Sequence, residues 1–296
     1  MALGYLRWLA QLFVHEKVRE ATATAQAQVE EAIRGRSAPQ EIAAICDAAV
    51  IFALGSESGC FEDLLSGLVT LKGRGFKVHQ GELGPRKIAV AVSGAGRKAA
   101  AHATEAVLSG HRPPLVISAG FCGGLVPELR RHDLVAVQSV VDEQGNRIDL
   151  DLPFEPGELA GRQTVMTGTL LTVDAIVDRP EQKRQLGQTR GAIAVDLETF
   201  AVAQVCRERG VPCLGIRIVS DAVDEELPRE VAGLVRQRTN AARWGAALAS
   251  IWNRPGSIKD MLRLKENALT ASDLLAKYLA QVIRRAGPLP PAKENH

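Results

Sequence analysis

The run Ala194 to Asp224, AVDLETFAVAQVCRERGVPCLGIRIVSDAVD, constrains the fold more than any other part of the chain. Asp196 and Glu198 stand where an apolar approach ends and a helix-patterned run begins at Ala201. Cys213 to Val219 is short, apolar and rich in branched residues, the pattern of a buried strand. Asp221 follows it directly after Ser220. A helix feeding a fully buried strand belongs to an α/β sheet, and in such sheets ligands collect at the carboxyl ends of strands. Each acid taken alone could cap a helix or turn. Three of them in one segment favour a site.

The chain is long enough for one large α/β domain with additions, and its apolar fraction of 46% supplies a sizeable core. Its 36 basic and 34 acidic residues leave a formal charge of +2, so there is no electrostatic case for a nucleic-acid partner. A small contained ligand fits better. Cys46, Cys60, Cys122, Cys206 and Cys213 are scattered without metal-ligand spacing and read as reduced core residues of a cytoplasmic protein, with no metal expected.

Taken in order, residues 1–45 predict an amphipathic helical extension. Its first part, Met1 to Val14, is apolar at helical spacing but too short to span a bilayer. Two readings stand: a helix packed on the domain or a second subunit, or one lying at the membrane face through Trp8 and Arg7. The main α/β domain is expected over residues 46–252, and a C-terminal helix with a disordered tail over 253–296. Within the domain, a strand is expected over residues 48–54, with Glu57 on the loop Gly55 to Gly59 that follows. Lys72 to Lys87 reads as a hairpin, and Ile88 to Val92 as a strand leading through Ser93, Gly94, Ala95 and Gly96 into a helix from Arg97 to Leu108. Leu115 to Ser118 is expected as a strand ending in the glycine-rich block Ala119 to Gly124. Further strands are expected over Asp133 to Val141 and Thr164 to Val173, with a polar lid or surface loop between them. A short helix with Pro180 in its first turn should cover Arg179 to Gln188. Beyond Asp224, one helix is expected over Pro228 to Trp252 and another over Ser257 to Arg285, the latter with a face that includes Leu269, Leu275, Tyr278, Leu279, Val282 and Ile283.

Five blocks, in order, carry a resemblance. They are ALGSESG at Ala53, SGAGRKAAA at Ser93, ISAGFCGGL at Ile117, LLTVDAIV at Leu170, and VDLETFAVAQVC with IRIVSDAVD at the end. Together they resemble the purine nucleoside phosphorylase and methylthioadenosine/S-adenosylhomocysteine nucleosidase superfamily. The resemblance implies a three-layer α/β/α domain around a central mixed sheet that is partly barrel-like, and an enzyme that cleaves the bond between a purine and ribose. It also implies a homo-oligomer, a small purine nucleoside as partner, and no cofactor, with phosphate as co-substrate in the phosphorylase branch.

By that resemblance Glu57 is the base that activates water, Glu198 the clamp on the ribose hydroxyls, and Asp221 the acid facing the leaving base, held protonated by partial burial and oriented by Ser220. Breaking this bond builds positive charge on the sugar and negative charge on the base, so acidic groups around the ribose and a proton donor at the base are what the reaction requires. Ser93, Gly94, Gly120, Phe121, Asp196 and Leu197 would line the site, and the main chain at Ile176 and Val177 would meet the purine. Arg217 has two readings, a holder of the nucleophile or an ion pair with a local carboxylate. Ile176 departs from the nucleosidases, which carry an aromatic residue there, and Phe121 and Phe200 stand where small residues are common. The loop after the first strand lacks the arginine of the phosphorylases, which favours water over phosphate. Hopanoid-associated members of the superfamily share the block pattern and would make a lipid-linked adenosine the substrate, and a nucleoside-binding module without turnover is the alternative of another class.

Overall fold

The computed structural model describes residues 45–73, 75–150, 152–159, 161, 163–226 and 258–286, with side chains of the last span from 266 onward. All belong to the unit Ala43–His296. The helix expected over Pro228 to Trp252, the N-terminal helical extension and the C-terminal tail lie outside the described residues. Among the described residues no helix is long and apolar enough to cross a membrane.

The chain opens with β1 (Ala48–Phe52) and a short helix α1 (Gly55–Glu62), followed by β2 (Ser66–Lys72), β3 (Lys77–Leu83) and β4 (Arg86–Val92). Helix α2 (Arg97–His111) leads to β5 (Val116–Gly124), β6 (Leu134–Asp142) and the short β7 (Arg147–Asp149). A 3-10 turn at Pro156–Leu159 precedes β8 (Val165–Thr172), α3 (Pro180–Arg190), β9 (Ala194–Asp196), α4 (Thr199–Glu208), β10 (Cys213–Asp221) and α5 (Ile258–Arg285).

One mixed sheet joins the strands, and β5, β10, β6, β8 and β9 close on themselves as a five-stranded barrel. From β5 the sheet continues through β1 and β4 to the hairpin strands β3 and β2. Neighbours β4, β1, β5 and β10 are parallel, so their carboxyl ends share one rim. Strand alternation sorts the core into layers. Ala49 and Ile51 of β1 face a cluster with Ala100 and Val107 of α2 and Val202 and Ala203 of α4. Ala48, Val50 and Phe52 face the opposite cluster with Phe61 of α1 and Leu275, Leu279 and Val282 of α5. The expected α/β/α layering and partly barrel-like sheet are both present.

Several boundaries differ from the sequence expectation. Residues 55–59 are not a loop but the start of α1, a helix whose sequence GSESGCFE has no apolar period to announce it. Its N-cap Leu54 is extended, and Glu57 at the third helical position reaches back to the Leu54 N–H at 2.9 Å, half of a capping box. The opposite face of α1 is covered by α5, where the Ser272 hydroxyl donates to the Glu57 carbonyl at 3.0 Å. The glycine-rich block is not a loop either, since β5 runs through it to Gly124 because β10 and β9 pair with Gly120 to Gly124. The expected single hairpin is a three-strand meander, its first strand Ser66–Lys72 mostly exposed. Leu269 is 39% exposed and does not belong to the buried face of α5. The polar stretch between β6 and β8 is ordered as β7 and the 3-10 turn, where the Tyr278 hydroxyl of α5 donates to the Pro156 carbonyl at 3.1 Å.

If α5 is part of the core, Leu279→Ala, at a fully buried position, costs about 2–5 kcal/mol of unfolding free energy. Leu269→Ala should stay within about 0.5 kcal/mol. Urea denaturation of both variants measures this.

Candidate active site

The acidic residues gather where β1, β9 and β10 end. Glu57, at the start of the helix after β1, turns inward and is 5% exposed. Its Oε2 accepts from the N–H of Ala53 at 3.1 Å and of Leu54 at 2.9 Å, and its Oε1 from the N–H of Phe121 at 2.9 Å. Burial pushes the Glu57 carboxyl above its ordinary value, and the Phe121 N–H, Arg217 and the helix-entry N–H groups only partly oppose it. Next to it lies Gly120. A Cβ there would stand 2.5 Å from Arg217 Nη1 and 2.9 Å from Glu57 Oε1, so the guanidinium and the carboxylate approach across a position that only glycine can occupy.

Arg217 points from β10 into the α4 side of the sheet and is 1% exposed. Its Nη2 donates to Ser118 Oγ at 2.8 Å and Thr199 Oγ1 at 2.6 Å, and its Nε also reaches Thr199 at 3.1 Å. Nη2 lies 2.7 Å from Asp196 Oδ2. Of the two readings open for Arg217, the structure shows the ion pair. Burial works against its charge, but Asp196, Glu198 and Glu57 outweigh it and hold its pKa above the usual value. Asp196 also accepts from Thr172 Oγ1 at 2.6 Å and from the Thr199 N–H and hydroxyl at 2.9 and 2.5 Å. Its oxygens are thus taken up by the fold.

Glu198 is the N-cap of α4, and Leu197 beside it is half-buried. Its Oε1 accepts from the Gly96 N–H at the entry to α2, at 2.7 Å. Its carboxyl is pushed up to about 8, by burial first and by the neighbouring Asp196 carboxylate, against the pull of Arg217. Ser93 at the end of β4 donates to the Phe52 carbonyl at 3.1 Å and the Gly94 carbonyl at 2.7 Å, and the Gly94 N–H donates to Ala53, which ties this turn to the entry of α1. Arg97 crosses Phe200 at 5.6 Å from the ring centroid and donates to the Thr172 carbonyl at 2.9 Å.

Asp221, at the end of β10, is 5% exposed. Ser220 Oγ donates to its Oδ1 at 2.6 Å and to the Cys122 carbonyl at 3.1 Å, while Asp221 pairs with Gly123, two residues along β5 from the Phe121 N–H that holds Glu57. Asp221 also has a cation beside it. Its Oδ2 is ion-paired with Lys183 Nζ, a residue sequence reasoning missed. Lys183 lies in a helix, PEQKRQLGQTR, whose one large apolar side chain is Leu186, yet Pro180, Lys183 and Gly187 form its buried stripe. The spacing of that stripe, ending in a glycine, was the available signal. Ile176 is half-buried and Val177 is 6% exposed, both on the segment leading into this helix. Among the described residues no group of three or more His, Cys, Asp or Glu side chains could hold a metal ion.

Residues 39–251 match the family model described as the phosphorylase superfamily. The chain belongs to the phosphorylase superfamily. A methylthioadenosine/S-adenosylhomocysteine nucleosidase of Geobacillus kaustophilus is 30% identical over 202 residues, 60% of this chain and 86% of that protein. That of Tolumonas auensis is 29% identical over 203 residues, 60% and 87% of the two. Among solved structures, the nucleosidase of Neisseria meningitidis in complex with methylthio-immucillin-A has a TM-score of 0.62 at 23% identity and covers 80% of this chain and 98% of its own. The futalosine hydrolase of Helicobacter pylori has a TM-score of 0.63 at 20% identity, covering 81% and 98%. The family and fold that the five blocks implied are therefore those of this chain.

Glu198 has a consequence for stability. Between pH 4.5, its ordinary value, and about 8, the folded state holds a proton that the unfolded state has released. Stability must fall as pH rises through that window. Thermal melting from pH 5 to 8 should show the decline, and Glu198→Gln should flatten it. Gly120→Ala should lower the melting temperature as well, because the added carbon displaces Arg217 or Glu57.

Proposed function

We propose that the protein is a purine nucleosidase that hydrolyses the bond between an adenine-type base and ribose. The observation that carries this reading is the meeting of Glu57, Arg217 and Glu198 around Gly120, with Asp221 at the end of β10, the strand that also carries Arg217. The curated relatives, methylthioadenosine/S-adenosylhomocysteine nucleosidases by name, support it.

In this reading Glu57 takes the proton from the attacking water, on the opposite face of the sugar from the leaving base. Arg217, next to it, opposes the effect of burial on the Glu57 carboxyl. Glu198 exchanges its Gly96 bond for, or shares it with, the ribose hydroxyls. As the ring becomes cationic, the oxygens of the Glu198 carboxyl face it and stabilise the developing charge. Leu197 and Ser93 to Gly94 frame the sugar, with Gly120 and Phe121 beneath it. The segment Ile176 to Val177 meets the purine, and Asp221, aimed by Ser220, protonates it as the bond lengthens. Water is favoured over phosphate because Arg217 is committed to Asp196, Thr199 and Ser118. A phosphate would have to compete with a buried carboxylate for it.

Incubation with methylthioadenosine, S-adenosylhomocysteine and inosine, with and without phosphate, tests the reading. Free base released without phosphate is expected, while release only with phosphate would make the protein a phosphorylase, and tight binding with no release a sensor. Glu57→Gln and Asp221→Asn should each lower kcat by about 100- to 10,000-fold. Because the Glu57 carboxyl lies above its ordinary value, the acid limb of the kcat/KM profile should turn down above the usual carboxylate range.

A further inference from the structure

Lys183 is the one fully buried lysine of the described residues, with a side chain 0% exposed. Its three ammonium protons have three acceptors: Asp221 Oδ2, the Ala222 carbonyl at 2.9 Å and the Glu225 carbonyl at 2.8 Å. Only one of these is an anion. The other two lie on the segment that leaves β10, so Lys183 grips Asp221 from behind while that segment is pinned to α3. The grip depends on close packing one turn further on. A Cβ at Gly187 would stand 2.7 Å from the Leu125 carbonyl oxygen, and glycine at that point lets α3 ride down onto the exit of β5. The same helix begins just after Ile176 and Val177, so one element carries both the segment assigned to the purine and the cation behind Asp221.

A tether needs hydrogen bonds but no charge. A buried ion pair is commonly no more stabilising than well-packed apolar residues of the same volume, so the ammonium calls for a reason beyond the fold. We propose that Lys183 is a positioning residue for the leaving base: its ammonium aims Asp221 and supplies, through it, the proton that the base receives. This inference rests on the reading of Asp221 as the acid. The proton balance closes within the site. A proton passes from Lys183 Nζ to the Asp221 carboxylate and on to N7 of the base, while the electron pair of the breaking C1'–N9 bond stays with the base. Water forms the new C1'–O bond and gives its proton to Glu57. Lys183 is left as the neutral amine with Asp221 as the carboxylate, and the proton held by Glu57 returns to the amine through solvent once the products leave.

The test compares Lys183→Met, Asp221→Asn and the double variant on methylthioadenosine and on 4-nitrophenyl β-D-ribofuranoside, whose phenolate departs without a proton. Lys183→Met should lose about 100-fold or more in kcat on methylthioadenosine with KM little changed, and the double variant should lose no more than the worse single, as residues acting in one relay do. Turnover of the nitrophenyl riboside by Lys183→Met should stay within about fivefold of the parent, since protonation is what the relay contributes. That turnover also shows that the variant is folded, and the double variant, which buries neither charge, guards against a misfolded single. Losses that multiply in the double variant, equal losses on both leaving groups, or no loss in Lys183→Met overturn the role of Lys183 alone. If the parent protein releases no base from any nucleoside, the nucleosidase reading falls and this inference with it. If the parent refuses the nitrophenyl riboside, the double-variant comparison on methylthioadenosine decides.

Discussion

The ion pair between Arg217 and Asp196 is what the rest of the site is built around. Both side chains are 1% exposed and 2.7 Å apart, and charges so far from water persist only when their remaining donors and acceptors are matched. That requirement accounts for Ser118, Thr172 and Thr199, three hydroxyl residues otherwise out of place in a core of valine, isoleucine and alanine. It also joins β5, β8, β9, β10 and the start of α4 at one point, which fixes the barrel register just where the functional side chains emerge. Removing either partner would leave a buried charge alone, typically a loss of about 3–5 kcal/mol.

Charge counting explains the remainder. Among the described residues, Glu57, Asp196, Glu198 and Asp221 face two cations, Arg217 and Lys183. Asp196 claims Arg217 and Asp221 claims Lys183, so Glu57 and Glu198 carry the shortfall and are the two carboxyls pushed upward. A positively charged species between them would favour the ionised form of both, and in the proposed reading a ribosyl ring losing its base is one. The proposed division of labour follows from this arrangement. The sugar end holds two carboxyls that a cation would ionise, and the base end a carboxylate paired with an ammonium.

Much of the architecture could be read from the chain because the buried strands are short apolar runs and the site carboxylates sit at their ends. β6, β8, β10 and α3 emerge within a residue or two of expectation. The failures have physical causes. The helix at Gly55 is held by a side-chain cap from Glu57 and by α5, more than 200 positions away, and local sequence carries neither signal. Gly120 to Gly124 looked like a loop because glycines break strands, but here they admit Arg217, Glu57 and Asp221 against the backbone of a strand paired on both sides. Lys183 escaped notice because a lysine among glutamines and arginines reads as solvated, and only a tertiary contact distinguishes it. The partner of Arg217 was one of two readings, and choosing between them required the fold.

The most direct test of convergence is a crystal structure of the protein with methylthio-immucillin-A, the ligand held by the Neisseria relative. Glu198 should bond the hydroxyls of its sugar-like ring, Asp221 should meet its base at N7, and Glu57 should face the ring from the other side with a water between them. A ligand bound elsewhere, or bound on this rim with Glu57 and Asp221 on the same side of the ring, would contradict the account.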